Sequence, residues 1–304
     1  MTKRKLSKTK KKKIFQFIIA ILFILVGGYF GKDYLLPDED PHKYDDLPLE
    51  EYYLSAEGLE GKDLMDELNE IVTTGIVGVN YGDARTALAE SDVDPNNPTK
   101  LLTIYSRELV SNVWDGGDTW AREHVWPNSR LGLDRVTNYQ ISQASDLHNL
   151  RAIVPSVNSS RSNKVFGPET GANTYFPGDD DKGDVARILF YMVIRYPEVL
   201  SLVDDVLEND PDTNYTPDGA KMARLSYLIE WHYEDPVDDF ETNRNNVIYK
   251  WQKNRNPFID HPEFVAKIFE HDDYKNLNSE HRQYEFQTIC LYIDNKKETL
   301  WNLI

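Results

Sequence analysis

The 304-residue chain is predicted to fold as an α+β domain in which helices predominate. Three observations lead to this class. Apolar residues recur at helical spacing in several long stretches, such as 184–196. Short apolar runs of strand length surround two polar motifs, near 119–126 and 146–153. Loops rich in Asp, Asn, Pro and Gly separate these elements at 90–98, 169–183 and 204–218. With 40% hydrophobic residues, the chain can bury a sizeable core.

The predicted elements follow one another without an internal repeat or a sign of a second globular domain. Leu59, Leu64, Leu68 and Val72 place a helix at 59–73. A strand at 100–106 is followed by the strands near 119–126 and 146–153. Further helices are predicted at 184–196, 219–233, 236–252 and 262–270 and in the last twenty residues. Asp235 or Asp238 is expected to cap the helix at 236–252.

The N-terminal segment has the pattern of an export signal. Residues 1–13 hold eight Lys or Arg and no acid, and they are expected to stay in the cytoplasm. Residues 14–31 are uncharged and would span about 27 Å as a helix, close to the thickness of a membrane core. We favour an uncleaved anchor over a signal peptide, because small-residue cleavage sites are poor here. Both interpretations export the body, which is then anchored to the membrane or secreted.

An acidic, Pro-containing spacer is predicted at 32–54, and the globular domain at 55–304. The single cysteine, Cys290, excludes an intramolecular disulfide. Beyond the basic first 13 residues, 26 basic residues face 51 acidic ones, although the whole chain has a net charge of −17. So acidic a body repels phosphate unless a bound cation or a local basic patch intervenes.

The first unusual motif is the sequence TWAREHVWPNSRLG at 119–132. It places Glu123 and His124 side by side in an apolar setting. A neutral imidazole is a suitable general base near pH 7. Neighbouring residues of a regular strand face opposite sides, so these two can share a site only if the strand ends or twists before Pro127.

The second motif, SDLHNLRAIVPSVNSSRSNKVFG, covers 145–167. Its apolar first half predicts a strand, and Pro155 can open a helix. On such a helix Asn158 lies one turn from Arg161 and Ser162. One carboxylate and one amide oxygen suit Mg²⁺ or Ca²⁺, and an arginine can hold a phosphate. Base, hydrated cation and arginine together can hydrolyse a phosphodiester.

The two motifs in this order resemble the endonuclease I family of exported bacterial nucleases, within the ββα-metal (His-metal finger) superfamily. The segments 184–196 and 252–265 also resemble stretches of that family, so the resemblance spans about 59–270. It implies a mostly helical domain built around a ββα-metal motif. It also implies a metal-dependent, largely sequence-nonspecific endonuclease that acts on DNA, RNA or both. We expect a monomer.

The resemblance assigns roles to three residues of the two motifs. His124 would activate the attacking water as the general base. Glu123 and Asn158 would hold one divalent cation, normally Mg²⁺, with Ca²⁺ or Mn²⁺ as alternatives. Cleavage would leave 5′-phosphate ends. The structural alternatives are a simple ion pair of Glu123 with Arg122 or another arginine, and a helix-capping role for Asn158.

Five other residues receive supporting roles. The phosphate-binding arginine of the family lies between the two strands, where Arg130 and Arg135 are both candidates. Arg161 either contacts phosphate or forms a buried salt bridge. His148 and Asn149 are expected to steady the motif by hydrogen bonding. Two other functions remain open at this point: a catalytically inactive surface protein of the same fold that binds nucleic acid or a partner, and an enzyme restricted to RNA.

Overall fold

The computed structural model describes residues 48–202 and 222–274. The predicted export segment at 14–31 and the helix predicted in the last twenty residues lie outside these ranges. No helix within them combines the length and the apolar character that crossing a membrane requires.

The described residues form a mixture of helices and short strands, which confirms the predicted α+β class. The helices are α1 (Leu49–Tyr52), α2 (Gly61–Thr73), α3 (Ala84–Ser91), α4 (Pro155–Arg161), α5 (Lys182–Arg195), α6 (Leu225–Glu234), α7 (Asp239–Gln252), α8 (Pro257–Asp260) and α9 (Phe264–Phe269). The strands are β1 (Val93–Asp94), β2 (Asn97–Leu102), β3 (Leu109–Ser111), β4 (Ala121–His124), β5 (Leu150–Ile153), β6 (Val165–Phe166) and β7 (Thr174–Tyr175).

The strands form small sheets rather than one large one. Strands β1, β2 and β3 pair antiparallel in that order, and β6 pairs parallel with β7. The antiparallel pair β4–β5 joins segments that are distant in the chain, with Glu123 opposite Arg151 and His124 opposite Leu150. Helix α4 follows β5 directly, because Pro155 at its first turn suits a helix start. The unit β4–β5–α4 therefore brings the two sequence motifs together.

Helix α5 is the centre of the main core. Every residue from Gly183 to Ile194 is buried, as expected for a helix that is apolar on nearly all sides. It packs against α2 and α6. Its one buried arginine, Arg187, is paired with Glu241 of α7 through Nη2 and Oε2 at 2.5 Å. This pairing satisfies a charge that would otherwise be very unfavourable inside the core.

The β4–β5 pair lies between two apolar clusters. Leu150 and Ala152 belong to one cluster, whereas Val125 and Ile153 belong to the main core. Between them, Arg151 is buried and forms ion pairs with two buried carboxylates, those of Asp92 and Asp184. The pair is thus fixed on both faces by packing and by charge. This rigidity matters because the predicted site residues lie at its end.

Four local predictions need correction or completion. The strand predicted at 100–106 covers Asn97–Leu102 instead, and the chain turns after it, where Tyr105 and Arg107 adopt left-handed φ values of 70° and 49°. Helix α4 ends at Arg161, and Ser162 leaves it with a φ of 54°. Helix α7 is capped by Asp238, whose side chain accepts the backbone N–H of Glu241. The tyrosines at 52 and 53, which fall in the predicted spacer, are buried in the main core.

Candidate active site

The end of β4 resolves the geometric problem raised by adjacent Glu123 and His124. The strand stops at His124, and Pro127 follows a few residues later. Both side chains line the same cleft, whose volume is about 1060 Å³. Three other predicted site residues line this cleft with them: Arg135, Asn158 and Arg161.

His124 is held as a neutral imidazole. Its Nε2 lies 2.8 Å from the carbonyl oxygen of Ala144, and its ring stacks on Tyr81 at a centroid distance of 5.2 Å. A carbonyl can only accept, so Nε2 carries the proton and Nδ1 keeps its lone pair. Burial lowers the pKa of His124 to about 4, although the Ala144 carbonyl opposes this shift. At neutral pH, Nδ1 is therefore ready to accept a proton.

Glu123 is buried, with 2% of its surface exposed. Its Oε1 accepts a hydrogen bond from the Tyr105 hydroxyl at 3.0 Å and lies 3.3 Å from Nε of Arg161. Burial raises the pKa of Glu123 to about 7, against the opposing effects of Arg161 and the Tyr105 hydroxyl. A cation beside this carboxyl would favour its ionised form. Its other oxygen, Oε2, receives no hydrogen bond from the residues that the structure describes.

Asn158 completes a sparse set of oxygen donors. It lies in the middle of α4, half-buried, and its side-chain amide makes no hydrogen bond within the described ranges. It does not cap the helix. Those ranges also contain no cluster of three or more His, Cys, Asp or Glu residues suited to a metal ion. One carboxylate and one amide suit Mg²⁺, which keeps most of its waters, better than a metal that needs several protein ligands.

Arg161 is a buried structural cation as well as a cleft residue. Its Nη2 donates to the carbonyl oxygen of Val125 at 2.6 Å, and Nη1 donates to that of Ser162 at 2.9 Å. The guanidinium also lies 4.7 Å from the centre of the Phe166 ring. These contacts tie α4 to the end of β4. The buried salt bridge considered from the sequence is present here, with Glu123 as its partner.

The two loop arginines differ in position. Arg135 is exposed and lines the cleft. Arg130 is half-buried, and its Nε donates to the carbonyl oxygen of Asn163 at 2.7 Å. Its side chain is not part of the cleft wall. Of the two, only Arg135 lines the cleft.

His148 and Asn149 lie behind the site rather than in it. Both are fully buried. The Asn149 side chain accepts the N–H of Trp126 at 2.7 Å and donates to its carbonyl oxygen at 3.0 Å. The ring of His148 packs on Tyr191 at a centroid distance of 4.3 Å, and burial lowers its pKa to about 4. Asn149 thus braces the chain two residues after His124.

Three further residues of the site were not predicted. Tyr105 contacts Glu123 from a turn 18 residues upstream, and no local sequence signal connects the two. Tyr81 forms the stacking partner of His124. The Arg122 guanidinium lies 3.7 Å above the Tyr81 ring and lines the cleft. The only sequence signal for Arg122 was that it precedes Glu123 in the chain, and this suggested an ion pair with Glu123 rather than a place in the cleft wall.

Comparison with known proteins identifies the family. The family model described as Endonuclease I matches residues 60–176 and 170–263. The chain belongs to the endonuclease I family. It is 38% identical over 234 residues to an extracellular ribonuclease of Bacillus subtilis (strain 168), covering 72% of this chain and 78% of that protein. Identity to an extracellular ribonuclease of Bacillus amyloliquefaciens is 37% over the same shares.

A more distant relative is an Endonuclease-1 of Buchnera aphidicola subsp. Baizongia pistaciae (strain Bp). It is 28% identical over 167 residues, which cover 45% of this chain and 60% of that protein. These relationships confirm the predicted family, and they make the endonuclease I member described here a nucleic-acid hydrolase. The family is in general metal-dependent.

Proposed function

We propose that this family member is a largely sequence-nonspecific endonuclease that uses His124 as general base and one Mg²⁺ held by Glu123 and Asn158. The unit β4–β5–α4 would be its ββα-metal motif. The observation that carries the proposal is the state of His124. A half-buried, neutral ring with a fixed Nε2 proton and an available Nδ1 lies in one cleft with a carboxylate and an amide oxygen.

The proposed reaction assigns one role to each of these residues. Nδ1 of His124 takes the proton of a water that attacks the phosphorus, while the Nε2–H bond to Ala144 keeps the ring oriented. Arg135 binds a non-bridging phosphate oxygen from the cleft wall. A bound divalent cation would stabilise charge on the phosphate and on the leaving 3′ oxygen. The bond between phosphorus and the 3′ oxygen breaks, the 3′ oxygen takes up a proton from solvent water, and the 5′ phosphate remains on the product.

The residues of the cleft also explain how a strongly acidic protein could bind phosphate. Arg122, Arg135 and Arg161 all line it. Together with a bound cation they give a local positive field within a body of strongly negative charge. Phosphate attraction is then confined to the cleft, which favours binding of a nucleic acid strand at the catalytic residues rather than elsewhere on the surface.

The substrate range includes RNA and DNA in this proposal. A water nucleophile activated by His124 does not require the 2′-OH, so the mechanism does not exclude either sugar. RNA is supported by the two relatives named extracellular ribonuclease. The same names support export, in agreement with the basic flank at 1–13 and the apolar segment at 14–31. The membrane is then a partner only if residues 14–31 stay uncleaved.

The test uses the full-length chain with supercoiled plasmid and with a structured RNA, in Mg²⁺ and in EDTA. We expect cleavage in Mg²⁺ only, and a fall of about 10²–10⁴-fold in the His124→Ala variant, as is typical of losing acid–base catalysis. His261→Ala is the matched control, because His261 is partly exposed, bonds Glu263 and does not line the cleft. Equal activity of the wild type and His124→Ala would reject the proposal.

A further inference from the structure

The turn that carries Tyr105 is built in an unusual backbone conformation. Tyr105 and Arg107 both have left-handed φ values, 70° and 49°, although neither is glycine. Left-handed backbone is disfavoured for L-residues with a large side chain, and such outliers concentrate at functional sites. The chain keeps this conformation next to the proposed cation-binding carboxylate.

Three contacts hold the turn in place. The N–H of Ile104 donates to the carbonyl oxygen of Ala152 in β5 at 2.9 Å. The N–H of Tyr105 donates to Oδ2 of Asp181 at 2.7 Å, and Nη1 of Arg107 donates to Oδ1 of the same residue at 3.0 Å. Asp181 is itself buried just before α5. The turn is therefore fixed to both the strand pair and the central helix.

Held in this way, the side chain of Tyr105 makes a hydrogen bond to Glu123. The Tyr105 hydroxyl donates to Oε1 at 3.0 Å. It is the only hydrogen-bond donor that the described residues supply to this carboxylate. Arg161 lies 3.3 Å from the same oxygen, but its Nε makes no hydrogen bond there, so it contributes charge without fixing direction. The ring of Tyr105 is itself packed against Tyr175 at a centroid distance of 5.1 Å.

We propose that Tyr105 is a positioning residue that fixes the rotamer of Glu123 so that Oε2 faces the cation. This rests on the proposed function and names a determinant of its metal affinity outside the ββα unit. Both neighbours engage Oε1, which leaves Oε2 for the cleft. A carboxylate whose orientation is set in advance loses less freedom when it binds a cation. Tyr105 does not touch the substrate in this role.

The test compares two tyrosine hydroxyls in the full-length chain. Tyr105→Phe removes only the donor to Glu123 and keeps the packed ring. Tyr175→Phe is the matched control, since it removes a hydroxyl from the adjacent ring that makes no hydrogen bond to Glu123. Mn²⁺ is titrated by electron paramagnetic resonance without nucleic acid, and the melting temperature of each variant verifies folding.

We expect Tyr105→Phe to weaken Mn²⁺ binding about tenfold, which corresponds to about 1.4 kcal/mol and is of the order of a hydrogen bond to a charged group. The Mg²⁺ concentration for half-maximal cleavage should rise by about the same factor, whereas KM for RNA should not change. Raising Mg²⁺ should restore the rate. Tyr175→Phe should bind Mn²⁺ as the wild type does.

Wild-type Mn²⁺ affinity in Tyr105→Phe would overturn the inference. Equal weakening in both variants would also overturn it, because the effect would then come from packing around the two rings. If the wild type binds no Mn²⁺ and cleaves in EDTA, the proposed function itself fails. The wild-type measurement therefore separates the two failures.

Discussion

Replacing Asn149 by alanine tests how far the site depends on the brace behind it. Asn149 is fully buried, and its side chain is bonded to both the N–H and the carbonyl oxygen of Trp126, at 2.7 and 3.0 Å. Trp126 follows His124 by two residues and is itself fully buried. Alanine removes both bonds and leaves two backbone groups of a buried residue without these partners.

The magnitude follows from this count. A hydrogen bond contributes about 1 kcal/mol net, and a buried polar group left unsatisfied costs about 1–3 kcal/mol. Two lost bonds with two orphaned groups should therefore lower the free energy of unfolding by about 3 kcal/mol or more. For a domain of this size, about 3 kcal/mol corresponds to a fall in melting temperature of roughly 6–12 °C.

Urea unfolding followed by tryptophan fluorescence measures this difference. The control is Asn112→Ala, which removes a single exposed bond from Nδ2 to the carbonyl oxygen of Pro98. It should change stability by less than about 0.5 kcal/mol, as surface substitutions usually do. A loss below about 1 kcal/mol for Asn149→Ala would mean that the Trp126 backbone does not depend on this side chain.

Two further predictions concern charge. Burial lowers the pKa of His148 in the folded protein to about 4. In the unfolded chain this imidazole has its ordinary pKa of about 6.5, so as the pH falls it is protonated in the unfolded chain before it is protonated in the folded protein. The stability of the wild type relative to His148→Phe should therefore decrease by about 3 kcal/mol between pH 7 and pH 4, and a pH-independent difference in urea unfolding would contradict this. Arg135→Ala should reduce the salt dependence of nucleic acid binding by about one phosphate contact, whereas Arg130→Ala should leave it unchanged, because Arg130 does not line the cleft and its Nε is bonded to the carbonyl oxygen of Asn163. Binding isotherms over a range of salt concentrations compare the two, and a reversed order would contradict the assignment.

The sequence predicted those helices and strands whose signals are local, such as apolar periodicity and a proline at a helix start. The apolar stretch at 184–196 became the buried helix α5, and Pro155 opened α4 as expected. The antiparallel pairing that joins Glu123 to Arg151 follows from two strands in the expected places. Boundaries were less accurate where a backbone conformation had no sequence signal, as at Tyr105, which ends the predicted strand region without a glycine.

The site was predictable only as far as its residues lie in the two motifs. Glu123, His124 and Asn158 do line one cleft. The sequence could not decide between Arg130 and Arg135, because their positions depend on how a long connection folds. Nor could it find Tyr105, whose contact with Glu123 depends on a turn held by distant Asp181. Long-range contacts of this kind leave no periodicity or spacing in the chain.

Chemical rescue of His124→Ala by imidazole tests whether His124 is the general base. The cleft has a volume of about 1060 Å³, so imidazole can enter the space that the side chain leaves. If His124 is the general base, cleavage by His124→Ala in Mg²⁺ should rise in proportion to the concentration of neutral imidazole, while the wild type should not respond. Cleavage by His124→Ala at the wild-type rate, without any response to imidazole, would show that His124 is not the general base.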